Sequence, residues 1–225
     1  MAEEDDVSLV WDLKRVVLAA LAATLAVAPA QAVGGKQGST DWPCPQRKVE
    51  TLGASDLQWE GSLDAVKGTW RKSPEVAKLV AVLANRRVPV EEAVKAMKAF
   101  AAGVAAGERA AAMTAVFAGL LETVNDYRRG VISGIERFDK RQKGRALEIE
   151  TEGTKLNDLK QRADAGDEAA KAEYQKALDL YDWNTRVFEE RRQNLPLACE
   201  IPPAIDARMF DLVREIKGVM GQQPG

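Results

Sequence analysis

This sequence predicts an all-α fold: a helical head, a long antiparallel helical hairpin forming a coiled-coil-like arm, and an irregular N-terminal lead-in. Three observations carry that expectation. Wherever apolar residues are periodic, they recur at helical rather than alternating spacing. The longest such seam steps by four and three from Phe117 through Leu121, Val124, Arg128, Val131, Ile135, Phe138, Gln142, Arg145, Ile149, Glu152, Leu156 and Leu159 to Ala163, and is apolar at ten of its fourteen positions. The punctuation, at Ser73-Pro74, Pro89, Gly103, Asp164-Ala165-Gly166-Asp167 and Pro196, falls between the periodic stretches.

Residues 1–32 read as an export signal. Lys14 and Arg15 precede an uncharged run, residues 16–28, that is too short to span a bilayer comfortably, and Ala30-Gln31-Ala32 offers small residues to a signal peptidase. Val33 would then be the mature N-terminus; an uncleaved inner-membrane anchor is the alternative. The acids Glu3, Glu4, Asp5 and Asp6 ahead of the basic pair are atypical of such a segment and would suit a start site further downstream. Residues 33–72 follow as the lead-in, because Gly34, Gly35, Gly38, Pro43 and Pro45 oppose both helix and long strand. Short helical turns are expected near Trp59 and Trp70.

Residues 73–135 form the head. Ser73-Pro74-Glu75 combines a side-chain cap, a proline at the first helical position and an acid in the first turn. Val76, Leu79, Val80 and Leu83 carry the helix to Asn85, with Arg86 and Arg87 at its negative end. Val88-Pro89-Val90 opens a second helix whose face is Val90, Val94, Met97 and Ala101. The seam helix, residues 108–163, would be about 80 Å long if continuous, with Gly130, Gly134, Gly144 and Gly153 as points of bending. Residues 136–195 are the antiparallel hairpin. Its return helix, residues 168–194, presents Ala170, Tyr174, Ala177, Leu178, Tyr181 and Phe188 to the seam and is expected to stop at Pro196. At about 40 Å it reaches back only to residue 136, so the first half of the long helix is expected to pack on the short hairpin. Residues 196–225 end in a helix carrying Ile205, Met209, Leu212, Val213 and Ile216, packed back on the head.

Charge and cysteines bound the function. The signal takes five of 34 acids and two of 32 bases, leaving 29 against 30, so the mature chain has no basic excess with which to hold nucleic acid. Cys44 and Cys199 admit a single intramolecular pairing, and in an oxidising compartment they are expected to form a disulfide. The absence of histidine from all 225 residues removes Ser-His and Cys-His nucleophiles, H-E-x-x-H zinc sites and carboxylate-histidine di-iron bundles. Glu148, Glu150 and Glu152, or Asp179 and Asp182, are the only carboxylate sets to weigh for acid-base work, and a solvated helix face explains them better. The hairpin tip lacks the D-x-D-x-D-G order of a calcium loop. No catalytic residue, metal or cofactor is therefore assigned.

Two candidate sites remain. Leu180, Trp183 and Val187 form a second apolar stripe on the return helix, rotated roughly 200° from Leu178, Tyr181 and Phe188 and flanked by Arg186 and Glu190. Either the head wraps this stripe or it binds a partner. The alternative is an apolar small-molecule pocket between the short hairpin and the long helix, lined by Trp59, Trp70, Phe100 and Phe117. The leading reading is a periplasmic or secreted, non-enzymatic scaffold that presents a rigid arm to another periplasmic or membrane protein. Self-association through the arm is a further possibility, and a periplasmic small-molecule carrier is the alternative class.

Overall fold

The computed structural model describes residues 42–221, which belong to one compact unit. The signal, its cleavage site and the glycines at positions 34, 35 and 38 lie outside the described residues. Among those described there is no strand; the elements are helices α1 (Pro74–Ala84), α2 (Val90–Ala102), α3 (Arg109–Asp164), α4 (Glu168–Arg192), α5 (Asn194–Cys199) and α6 (Ile201–Met220), with 3₁₀ turns at Ser55–Leu57 and Trp70–Lys72. The all-α class is as the sequence predicts.

The long helix is unbroken through 56 residues, about 84 Å at the usual rise. Gly130, Gly134 and Gly144 do not end it, and nothing lies within 4 Å of where their Cβ atoms would be, so no neighbour presses on them. Every one of the fourteen seam positions is buried or half-buried. The seam turns first toward the head and then toward α4. Tyr181 lies 3.4 Å from a Cβ built at Gly153, and Asn184 Nδ2 donates to Glu152 Oε2 at 3.0 Å, so α4 runs back antiparallel along the distal half of α3. At the tip Gly166 takes φ +93°, a value open to glycine, and Asp167 accepts from the Ala170 amide at 3.0 Å to start α4.

In the head, Ser73 Oγ accepts from the Val76 amide at 3.3 Å, and α1 presents Val76, Leu79, Val80 and Leu83 to α3. The partner of the proximal half of α3 differs in part from expectation. Helix α1 lies against it, but α2 packs chiefly on α1 and α6, and α6 takes the remaining side of α3 with Ile205, Met209, Leu212 and Ile216. The reason is the course of the chain after Arg192. The return helix stops at Arg192, ahead of Pro196 as expected, but helical structure resumes at once: Pro196 lies within α5, and Pro202 falls in the first turn of α6, where a missing N–H costs no helical bond. The final helix thus begins at Ile201, and its whole length is available to the core.

The lead-in is a strap laid antiparallel along α3. Cys44 packs beside Ile135, Arg128 Nε donates to the Val49 carbonyl at 2.8 Å, Asn125 bonds both backbone groups of Leu52, and Trp59 stacks on Phe117. The Asn125 amide donates to the Leu52 carbonyl at 2.9 Å and accepts from the Leu52 amide at 2.8 Å, supplying what a neighbouring strand would otherwise give this extended segment.

Candidate functional site

An exposed apolar stripe of the arm lies on α4. Leu180 and Trp183 are 59% and 56% exposed, Val187 is half-buried, and the Arg186 guanidinium stands 5.1 Å from the Trp183 ring centroid. Of the two expectations for this stripe, enclosure by the head is not what the structure holds. The head ends short of the stripe, because the strap, α5 and the disulfide gather at Ile135 and Cys199 and leave α4 beyond them uncovered on its outer face. Glu190 is likewise exposed. These residues share one face because they recur at three- and four-residue spacing on one helix.

Behind Trp183 a groove of about 760 Å³ opens between α3 and α4, with Phe138, Val187 and Phe188 as apolar wall and Arg141, Arg145 and Arg191 among its polar residues. Arg145 Nη1 bonds Glu148 at 2.7 Å and Glu152 at 3.2 Å, and Glu152 receives Asn184 in turn. Arg145 and Glu152 therefore form, with Asn184, a chain across the two helices that fixes their register, as polar groups at a seam do in coiled coils. Glu148 and Glu152 are thus both paired with Arg145.

Arg128, another polar seam member, is 3% exposed and serves the head. Besides Val49 it donates to the Pro202 carbonyl at 3.3 Å and forms an ion pair with Asp206. Burial raises the pKa of Asp206, and the Arg128 charge and hydrogen bond work against that rise. One guanidinium thereby ties strap, α3 and α6 together.

The cysteines join as expected. The Cys44–Cys199 disulfide spans 155 residues with Cα atoms 5.5 Å apart, and Gln46 Nε2 donates to the Cys199 carbonyl beside it. The staple sits where the arm leaves the head.

The pocket expected from Trp59, Trp70, Phe100 and Phe117 is instead packed core. Phe117 is fully buried, Trp59 stacks on it with ring centroids 3.8 Å apart, and the Trp70 ring fills the space beside Gly119. Phe100 is half-buried at the edge of the same cluster. Four large aromatics near one another signal either a lining or a filling, and only the close approach at Gly119 decides it. A cleft that sequence reasoning missed lies in the head between the end of α1, the proximal third of α3 and the start of α6, and holds about 430 Å³. Its one legible sign was Arg208, three residues after Ile205 and four before Leu212, on the edge of an otherwise apolar stripe.

Among the described residues no group of three or more Cys, Asp or Glu side chains is placed to hold a metal ion, and no helix is long and apolar enough to cross a membrane. The chain matches no protein family, no curated protein and no solved structure among those compared with it.

Proposed function

We propose that this chain is an exported, non-enzymatic scaffold whose disulfide-stapled arm presents the Leu180-Trp183-Val187 face to another periplasmic or membrane protein. The observation that carries the reading is Trp183, a large aromatic left more than half exposed on a long, regular helix, with a groove of mixed apolar and polar lining behind it and arginines at its edge. Aromatic side chains on rigid elements, rimmed by arginine, are the usual anchors of protein interfaces. Export is supported by the signal-like residues 1–32 and by the disulfide, which belongs to an oxidising compartment. The carrier alternative loses the pocket on which it was based.

Native mass spectrometry of the protein purified from its own extracytoplasmic compartment tests the proposal. The expected result is a stable complex with a different protein that the double substitution Leu180→Ala with Trp183→Ala dissociates. Recovery of the wild type solely as a monomer, or a complex indifferent to that double substitution, contradicts it.

A further inference from the structure

The cleft in the head is independent of the arm. Its walls are Leu83, Val124, Ile205, Met209 and Leu212, and its polar residues include Arg86, Tyr127 and Arg208. No carboxylate lines it, and neither arginine has an ion-pair partner among the described residues. Arg86 stands 4.8 Å from the Tyr127 ring centroid, which orients the guanidinium without neutralising it. Arg208 caps the end of α1: Nε and Nη2 donate to the Leu83 carbonyl at 3.3 and 3.1 Å, Nη2 to Asn85 at 3.2 Å, and Nη1 to Val88 at 2.9 Å. Those four bonds leave one of its five N–H donors, on Nη1, uncommitted.

We propose that this cleft binds a small apolar monocarboxylate, its chain against Met209 and Leu212 and its carboxylate between Arg86 and Arg208. Two unneutralised guanidinium groups over apolar walls form a site complementary to an apolar anion and opposed to an apolar cation. The volume suits a ligand of on the order of ten non-hydrogen atoms. Burial lowers the pKa of Arg208, no acid among the described residues pairs with it, and a bound carboxylate would supply that counter-charge.

Methyl NMR of the full mature protein, with octanoate, octanol and octyltrimethylammonium as probes, tests this. Octanoate is expected to shift the Met209 and Leu212 methyls saturably. Octanol should bind at least tenfold more weakly, and the cation not at all. Arg86→Ala should weaken octanoate at least fivefold. Ala204→Phe, at an exposed position on the cleft wall, should abolish binding while the arm signals of Ile149 and Leu156 stay in place, which shows the fold intact. Trp183→Ala should leave octanoate binding unchanged, so the result is separate from the fate of the scaffold reading. Absence of saturable shifts with octanoate, equal affinity for octanol, or full binding by Ala204→Phe in a folded protein would overturn the proposal.

Discussion

At the scale of single residues, charged side chains take part in most of the side-chain hydrogen bonds between segments that are distant in sequence. Arg128 is the clearest case: its position on the seam was legible, but its partners were not, because Val49, Pro202 and Asp206 become neighbours only when strap and last helix close on α3. Replacing it with methionine should cost about 3–5 kcal/mol in urea unfolding, since Asp206 is left half-buried without a counter-charge. Adding Asp206→Leu to Arg128→Met should recover most of that loss, because removing both partners also removes the stranded charge. Glu122 gives a pH dependence. Its carboxylate accepts from Trp70 Nε1 at 2.7 Å and Arg71 Nη1 at 2.8 Å, and these bonds, the indole first, hold its pKa below the ordinary 4.5. A carboxylate depressed by folding stabilises the fold fully above its unfolded pKa and loses that contribution as pH falls through the folded value. Glu122→Gln should therefore be less stable than wild type at pH 7, by about 1 kcal/mol or less because the side chain is well exposed. That difference should close as unfolding is repeated progressively below pH 4.5.

At the scale of elements, glycine has opposite meanings along one helix. A Cβ at Gly119 would lie 2.7 Å from Trp70 Cδ2 and 2.9 Å from Val80 Cγ2, whereas one at Gly130 meets nothing within 4 Å. Gly119→Ala should lower stability by about 1–3 kcal/mol through overpacking. Gly130→Ala should raise it by up to about 1 kcal/mol through helix propensity, both measured by thermal or urea unfolding. The sequence drew attention to Gly130 and Gly134 as points of bending and passed over Gly119. Position in a helix says what a glycine costs in propensity, but what presses against it is settled by tertiary packing. Helix starts were legible because their causes are local: the Ser73 cap and the Asp167 cap both depend on residues within one turn. The return helix does stop ahead of Pro196, at Arg192, but the sequence did not show that helix resumes at once. A proline forbids the preceding helix to continue but suits the opening turn of a new one, and α5 and α6 exploit that.

At the scale of the whole molecule, the staple and the strap set where the arm begins. The 155-residue separation of Cys44 and Cys199 makes the disulfide an effective constraint on the unfolded chain. Reduction should lower stability by about 2–4 kcal/mol in urea unfolding, and the Leu52 amide of the strap, held by Asn125, should then exchange faster with solvent. Architecture was largely legible because the fourteen-position seam is periodic over its whole length; the candidate site was legible only as a stripe, since whether the head covers Trp183 depends on where the strap and α5 end. The aromatic quartet shows the same limit, for residue type names a core and a pocket alike. The central claim is that the Trp183 face meets another protein, and photo-crosslinking tests it most directly. A benzoylphenylalanine placed at position 180 or 187, with Trp183 retained, should yield one discrete adduct with a different protein in the native host. The same probe at position 176, on an exposed part of α4 nearer the tip, should yield none. The captured protein, once purified, should bind wild type and lose at least tenfold in affinity for Trp183→Ala. No adduct at 180 and 187, an adduct only with a second copy of this chain, or equal capture from position 176 would contradict the account.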